Sequence, residues 1–276
     1  MAQLEMKRAI VLTTVPTTAR IIGQLDGTIT VYYRVDSFDK WPGHEARLIQ
    51  RMETQAIRSA NALIATSRRL IAGQAIDDKH TLVLPHGVDL EHFTSGGVEP
   101  DALSTVPRPR LMCAGLLDER VDLTLLAELA HMRPDWHIVL VGPRALEAVE
   151  LEHRDNVHLF PAVPYADLPA WLSAADVLMI PYVRTVQTDT ISPLKLREYL
   201  ASGRPVATTR LPEVVREYGA LIQVGDDATS FRDAISRALA DSPDSASLRR
   251  QAVRKDTWVA RADALCDFLA EVEKAA

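Results

Sequence analysis

The chain has 276 residues, of which 47% are hydrophobic and 25% charged, with a formal net charge of -6. These proportions are typical of a globular protein, and a length prior of roughly 150 residues per domain suggests two domains. The acidic balance excludes broad nucleic-acid binding, which needs a basic surface. No apolar run reaches the roughly 18 residues of a membrane-spanning helix. No signal peptide is evident, and with only Cys113 and Cys266 we expect a cytoplasmic protein with buried, reduced thiols.

Short β-rich runs alternate with helical patterns along the chain, which is typical of a parallel sheet covered on both faces. In the first part, the predicted strands are Ala9–Val15, Thr28–Val35, Ala62–Thr66 and Thr81–Leu84. A helix is predicted over Gly43–Asn61, and Ser67 is placed to cap the helix after the third strand. Ser95–Pro109 contains two glycines and three prolines, so it is predicted to be an interdomain linker.

The second part of the chain carries a longer α/β series. Its predicted strands are Arg110–Ala114, His137–Val141, Val157–Phe160, Val177–Ile180, Val206–Thr208 and Leu221–Val224, with helices at about 121–132, 144–150, 166–174, 193–202 and 212–218 and a helical tail. Six strands make a complete doubly wound domain, whereas the first part supplies four. We therefore predict an incomplete first Rossmann-like domain (1–100), a linker (101–109), a complete second domain (110–255) and a closing helix (256–276) that returns to the first.

The segment Ser192–Val206, SPLKLREYLASGRPV, carries the strongest chemical signal. Pro193 suits the first turn of a helix, and Gly203 suits the position just past its end. The free N–H groups of such a helix N-terminus can hold a phosphate. Glu198, about one and a half turns further on, could accept two hydrogen bonds from a ribose diol. The alternative is an ordinary amphipathic helix with a surface glutamate.

The same segment resembles the nucleotide-sugar-binding helix of retaining GT-B glycosyltransferases of family 4. Further matches occur in the right order, at Pro85–Asp89 with Phe93, Ala114–Arg120, Val139–Pro143, Ala175–Pro181, and Trp258 with Arg261. Tyr33–Asp36 resembles a segment of bacterial enzymes of cell-surface polysaccharide synthesis. The resemblance implies a GT-B architecture, an α/β fold of two Rossmann-like domains of which the second binds the donor.

The resemblance also implies roles for individual residues. Glu198 would bind the ribose hydroxyls, and Arg120 would neutralise the donor diphosphate, although a solvated loop charge is an equal alternative. Phe160 and Pro161 would lie beside the base, or simply pack at a strand end. The remaining donor-binding residues would be the loop glycine Gly115 and the start of the helix, at Ile191, Ser192, Pro193, Leu194 and Lys195.

The acceptor side is predicted from fewer residues. Asp36 follows a strand and could orient or deprotonate an acceptor hydroxyl, with a capping or loop aspartate as the alternative. Asp189 lies beside Thr190, where many relatives have a second glutamate near the sugar, and is the other catalytic candidate. His44 and His86 are further candidates. Leu116 stands where relatives often have an arginine that contacts phosphate.

The predicted function is transfer of a hexosyl group from a nucleoside diphosphate sugar to a saccharide or lipid-linked acceptor, with retention. No cofactor is expected, and no metal, since no D-x-D motif or ligand cluster occurs. Gly43–Asn61 could contact the inner membrane face through its arginines, or pack in the core. Two rivals are a non-catalytic nucleotide-sugar-binding subunit, completed by a partner chain at its exposed sheet edge, and a sugar-nucleotide epimerase.

Overall fold

The structure is a computed structural model that describes residues 9–22, 24–25, 28–41, 43, 45–74, 76 and 80–275. Contacts divide the chain into two units. Unit 1 contains the described residues of Met1–His86, Asp189–Ser192 and Val259–Ala276, and unit 2 contains Gly87–Thr188 and Pro193–Trp258. Within the described ranges, no helix is both long and apolar enough to cross a membrane.

Unit 1 is built on a parallel sheet of four strands. The strands are β1 (Ala9–Thr13), β2 (Thr28–Arg34), β3 (Ala62–Ala65) and β4 (His80–Val83), and the helices are α1 (Ala19–Ile22), α2 (Ala46–Ser59), α3 (Arg68–Ile71) and the closing α12 (Trp258–Ala275). The strands lie side by side in the order in which the chain forms them, with Ala9 opposite Thr28 and Val31 opposite Ala62.

Helices cover both faces of this sheet. On one face, Ala56 and Ile57 of α2 pack against Tyr32 and Leu63. On the other, Phe268 and Val272 of α12 belong to a cluster of buried residues that comprises Ile29, Val31, Ala62, Ile64 and Leu84. The buried strands are apolar on both sides for this reason, as is usual in parallel sheets.

A buried ion pair also joins α2 to the sheet. Glu53 accepts hydrogen bonds from Arg34 Nη2 at 2.6 Å and from the Tyr32 hydroxyl at 3.0 Å. Glu53 therefore lies on the buried face of α2. Arg47 and Arg51 are exposed on the same helix.

Unit 2 is a parallel sheet of six strands. The strands are β5 (Arg110–Ala114), β6 (His137–Val141), β7 (Val157–Phe160), β8 (Val177–Ile180), β9 (Val206–Thr208) and β10 (Gln223–Val224). The helices are α4 (Leu90–Thr94), α5 (Leu123–Met132), α6 (Val149–Glu152), α7 (Leu168–Ala174), α8 (Leu194–Ser202), α9 (Pro212–Tyr218), α10 (Ala228–Leu239) and α11 (Ser245–Ala252). The spatial order of the strands is β10-β9-β8-β5-β6-β7, so the winding reverses between β5 and β8.

Most predicted elements are present. The five strands predicted between Arg110 and Thr208 have the same bounds in the structure, and Ser67 caps α3 by accepting a hydrogen bond from the Leu70 N–H. Other bounds differ, and the last strand, predicted from Leu221, begins at Gln223. The helix predicted from residue 144 begins at Val149, Pro193 precedes α8 instead of forming its first turn, and Cys266 is exposed.

The contacts divide the chain differently from the predicted domain boundaries, because residues 87–109 belong to unit 2. The predicted linker is packed: Leu103 is fully buried and Val106 nearly so. The buried guanidinium of Arg110 donates hydrogen bonds to the carbonyl oxygens of both residues at 2.8 Å. Its glycines and prolines shape this packed segment, which composition alone does not distinguish from a mobile one.

Candidate functional site

Helix α8 is anchored so that its N-terminus lies at the carboxyl end of β5. The buried Tyr199 hydroxyl accepts a hydrogen bond from the Ala114 N–H at 2.8 Å and donates one to the Ala114 carbonyl at 3.3 Å. Gly203, with φ of 82°, ends the helix in the left-handed conformation that favours glycine. At the other end, the N–H groups of Leu194 and Lys195 have no acceptor within the described part of the chain. These groups and the helix dipole form a positive site.

Two glycines at the carboxyl ends of β5 and β6 leave space beside the start of α8. Gly115 follows β5 with φ of 118°, and a Cβ there would lie 3.1 Å from Lys195 Nζ. Gly142 follows β6 with φ of 148°, and its Cβ would lie 2.0 Å from the Gly115 carbonyl oxygen, which is far inside contact distance. Gly142 therefore allows the Gly115 carbonyl to lie against it, and Gly115 leaves room for the lysine ammonium beside its backbone.

The half-buried Lys195 side chain lies over the Tyr182 ring, with Nζ 5.2 Å from the ring centre. Burial raises the pKa of the Cys113 thiol and of the Tyr199 phenol, so both neighbours are neutral near pH 7. Among the residues that the structure describes, no carboxylate forms an ion pair with Lys195. The ammonium therefore has no ion-pair partner among these residues, which suits an anionic ligand.

Glu198 lies one turn beyond Lys195 on α8 and is half-buried. Burial raises the pKa of its carboxyl group, while the charges of Lys195 and His92 lower it. Its carboxylate accepts no hydrogen bond from any residue in the described ranges. A partly buried carboxylate without donors is costly, and two ligand hydroxyls would satisfy it.

An aromatic pair lies within electrostatic reach of Glu198. The ring of His92, in α4, stacks on Tyr165 at 4.3 Å between centres, and His92 Nε2 lies 2.9 Å from the Tyr165 carbonyl oxygen. Tyr165 is 54% exposed, and burial followed by the charges of Glu198 and Asp89 raises its pKa. Helix α4 packs against α8, which brings the pair beside the carboxylate.

Arg120 is already engaged by a neighbour. Its Nε lies 2.9 and 3.0 Å from the two carboxylate oxygens of Asp118, and Nη2 lies 2.5 Å from the second oxygen. The guanidinium also lies 5.7 Å from the Tyr182 ring centre. Tyr182 thus faces both Arg120 and Lys195, but Asp118 offsets the charge of Arg120 alone.

Phe160 and Pro161 lie at the end of β7. The Phe160 ring contacts Trp171 edge-to-face at 5.1 Å, and its carbonyl accepts a hydrogen bond from the Gly142 N–H at 3.2 Å. Pro161 is exposed. Phe160 therefore packs at the strand end, and contact with a nucleotide base stays a prediction.

The predicted donor-binding residues around the start of α8 belong to both units. Pro193, Leu194, Lys195 and Glu198 lie in unit 2, whereas Asp189, Ile191 and Ser192 lie in unit 1. There the Thr190 hydroxyl is 3.1 Å from Ser37 Oγ, and the Ser67 hydroxyl donates to the Thr190 carbonyl at 2.5 Å. Ile191 and Ser192 are buried.

Asp36 also lies in unit 1, where its carboxylate holds a turn. One oxygen accepts from the Ser37 N–H at 2.7 Å and the other from Trp41 Nε1 at 3.0 Å. These bonds are those of a loop aspartate, and a role toward an acceptor stays a prediction. His86 is half-buried at the end of unit 1, and His44 lies outside the described residues.

Sequence reasoning missed His92, Tyr165 and Tyr182 as site residues. Each comes from a different element, and only the fold brings it near α8. Gly142 lies in the matching segment Val139–Pro143, but sequence reasoning assigned it no role in the site. Its signal was a glycine directly after a buried strand.

Comparison with known proteins agrees with this geometry. Residues 108–241, which include Gly115, Lys195 and Glu198, match the family described as Glycosyl transferases group 1. The resemblance inferred from the sequence is confirmed.

Two curated relatives are similar along most of the chain. One, named as a teichuronic acid biosynthesis glycosyltransferase of Bacillus subtilis, is 27% identical over 225 residues, covering 78% of this chain and 56% of the relative. The other, a D-inositol 3-phosphate glycosyltransferase of Xylanimonas cellulosilytica, is 28% identical over 260 residues, covering 80% and 60%. The chain thus spans little more than half the length of these relatives.

Solved structures show the fold. Sucrose-phosphate synthase of Thermosynechococcus elongatus aligns with a TM-score of 0.77 at 18% identity, over 97% of this chain and 74% of that one. HepE of Anabaena, solved in complex with UDP, aligns with a TM-score of 0.75 at 16% identity, over 95% and 79%. The predicted α/β GT-B fold is therefore confirmed.

Proposed function

We propose that the chain is a glycosyltransferase that moves a hexosyl group from a nucleoside diphosphate sugar to an acceptor hydroxyl. The observation that carries the proposal is the start of α8. There the free N–H groups, a Lys195 ammonium without an ion-pair partner in the described chain and a Glu198 carboxylate without hydrogen-bond donors follow one another within five residues. A nucleoside diphosphate offers the complementary groups in the same order, because its phosphates are anionic and its ribose carries two hydroxyls.

Lys195 and the helix N-terminus would act on the leaving group. As the bond from the sugar to the diphosphate breaks, negative charge grows on the phosphate oxygen, and a fixed ammonium and N–H dipoles stabilise that charge without reorganising. Glu198 would hold the ribose in place, which positions the diphosphate at the lysine. The transfer would proceed with retention, as the resemblance implies. It would need no metal ion, because the ammonium and the helix N-terminus supply the positive charge for the leaving diphosphate.

The substrates are proposed from the relatives. HepE of Anabaena was solved with UDP and with UDP-glucose, which makes uridine donors the first to test. The acceptor would be a saccharide or a lipid-linked saccharide, in keeping with the teichuronic acid and inositol phosphate enzymes. A lipid-linked acceptor would bring the chain to a membrane surface, where the exposed Arg47 and Arg51 of α2 suit anionic headgroups.

Calorimetric titration with UDP, GDP and their glucose conjugates tests the donor site, followed by an assay for release of free nucleotide. We expect one nucleotide to bind and Glu198→Gln to weaken its binding by about tenfold, because a charged hydrogen-bond acceptor is lost. Glu128→Gln, an exposed glutamate of α5, is the matched control. Equal affinity in wild type and Glu198→Gln would contradict the assignment.

A non-catalytic nucleotide-sugar-binding subunit is the second candidate, and the edge of unit 1 favours it. Ile10 and Leu12 of β1 are 36% and 41% exposed, and within the described ranges β1 pairs on one side only. A partner chain would cover such an edge. Nucleotide binding without turnover until a partner is added would favour the subunit, and turnover by the chain alone would favour the enzyme.

A further inference from the structure

A cavity lies in unit 2 at the C-terminal end of α8, the end opposite Lys195. Its volume is about 730 Å³, and it opens at the amino ends of the strands, beside Pro109 before β5 and Pro205 before β9. The charged residues that line it are Arg108, Arg204, Arg249, Arg250, Asp176 and Asp241. Four arginines against two aspartates leave the lining with a net positive charge.

Main-chain carbonyls fix three of these arginines in place. Arg204 Nη2 donates to the Ser173 carbonyl at the end of α7. At the end of α8, Arg250 Nη2 donates to the Ser202 carbonyl at 2.8 Å, and Arg249 Nε donates to the Gly203 carbonyl at 3.1 Å. The last carbonyls of a helix lack partners within the helix, so capping explains these bonds. This capping occupies one N–H group of Arg204 and one of Arg250, whereas each guanidinium has five N–H groups.

The charges in the cavity are only partly balanced. Arg108 forms ion pairs with Asp176 and Glu99, and Arg249 forms one with Asp241. Arg204 and Arg250 have no carboxylate within ion-pair distance in the part of the chain that the structure describes. Burial lowers the pKa of Arg204, and the charges of Arg108 and Arg250 lower it further against the opposing effect of Asp176.

Arg249 supplies a further free donor. Its side chain is only 5% exposed, and Nε and Nη1 are bonded to Gly203 and Asp241. Its Nη2 has no acceptor among the described residues. Capping and pairing therefore account for two of its nitrogens, and the third lies in the wall of the cavity without a partner.

We propose that this cavity binds a phosphate group, either free phosphate or a phosphomonoester. Three guanidinium groups with free N–H donors line one cavity, and guanidinium forks match phosphate oxygens in pairs. A phosphomonoester carries about 1.5 to 2 negative charges at pH 7, which offsets most of the charge of Arg204 and Arg250. Helix α8 has nine residues and is about 13 Å long, so this site is distinct from the one at its N-terminus.

The test is calorimetric titration of the whole chain with inorganic phosphate in chloride buffer at about neutral pH. We expect binding to the wild type and an affinity at least tenfold lower in the double variant Arg204→Gln/Arg250→Gln, because two charged donors are lost. Arg237→Gln, an exposed arginine of α10, removes one charge elsewhere in unit 2 and should leave binding unchanged. Should the double variant fail to fold, Arg250→Gln alone should still weaken binding, since Arg250 is exposed.

A second comparison separates this site from the proposed donor site. Lys195→Met should leave phosphate binding intact. Loss of binding in Lys195→Met with retention in the double variant would overturn the proposal, as would the absence of binding to the wild type. Methyl phosphate distinguishes the sources: equal or tighter binding than inorganic phosphate supports a phosphomonoester, and weaker binding supports free phosphate.

Discussion

The two sheets of this chain are wound differently. In unit 1 the strands lie in chain order, β1-β2-β3-β4, so every crossover among them moves in one direction. In unit 2 the chain starts in the middle at β5, moves outward to β7 and then returns to β8 on the other side of β5. Of the two described sheets, only this second one has neighbouring strands, β5 and β8, after which the chain moves toward opposite edges of the sheet. That reversal opens a crevice at the carboxyl ends of the strands.

The chemistry follows the winding. Gly115 leaves β5, Tyr182 follows β8, and Lys195 lies against both, so the unbalanced charge stands at the reversal. In unit 1 the polar groups after β2 and β3 are used up in holding the chain, since Asp36 bonds Ser37 and Trp41 while Ser67 bonds Thr190. The difference teaches that a parallel sheet presents free functional groups where its winding reverses.

Gly142→Ala should have the largest effect. A Cβ at this position would lie 2.0 Å from the Gly115 carbonyl, in a backbone conformation with φ of 148°. We expect a loss of about 3 kcal/mol or more in the free energy of unfolding, from strain and overpacking together. Denaturant unfolding of the purified variant measures it.

Gly73→Ala in unit 1 is the matched control. Gly73 has φ of 76°, but nothing lies within 4 Å of its added Cβ. It should cost only about 1–2 kcal/mol, the left-handed backbone penalty. Equal losses in the two variants would show that the reversal is no more tightly packed than a surface turn.

Lys195→Met tests the charge at the reversal. We expect the affinity for the donor nucleotide to fall by about 100-fold, or about 2.7 kcal/mol, because the buried diphosphate loses its ammonium partner. Calorimetry with the nucleotide that binds the wild type measures the change, and Lys255→Met, an exposed lysine of unit 2, serves as the control. A loss below threefold would place the diphosphate elsewhere.

The sequence predicts the strands of unit 2 well because their signals are local. Arg110–Ala114 and Val177–Ile180 are apolar runs between helix and turn residues, and their bounds are the same in the structure. Helix α8 is also predicted from local signals, because Pro193 precedes it and Gly203 ends it. These features depend on neighbours along the chain.

The strand order and the wall of the site could not be predicted, because they depend on contacts between distant residues. Nothing near His92 or Tyr165 indicates that their rings stack, 73 residues apart. The prolines and glycines around Leu103 predict a linker, whereas the structure buries this leucine in a packed segment. Arg120 matched a motif position, but only its geometry shows that Asp118 engages it.

Tyr199→Phe sharpens the comparison further by loosening α8 from β5. The variant leaves the buried Ala114 N–H without its acceptor, so we expect a loss of about 1–2 kcal/mol in the free energy of unfolding. Tyr33→Phe is the unit 1 counterpart, because the Tyr33 hydroxyl donates to the Leu84 carbonyl at 2.9 Å. It should cost less, since a carbonyl with a second lone pair tolerates the loss better than an N–H group does. A larger loss in Tyr33→Phe would reverse this ranking.

Glu198→Gln should have the smallest effect, and its sign is the opposite of the others. Burial raises the pKa of Glu198 in the folded chain above its unfolded value, so ionisation costs stability as pH rises through the folded pKa. The neutral glutamine avoids that cost, and the variant should melt about 2 °C above the wild type near pH 7. Below about pH 3 the wild-type carboxyl is protonated in both states, and the difference should vanish. Saturating nucleotide should reverse the order at pH 7, because it stabilises the form that binds it more tightly. A glutamine variant that is less stable at pH 7 without nucleotide would mean that the carboxylate already has a partner in the empty protein.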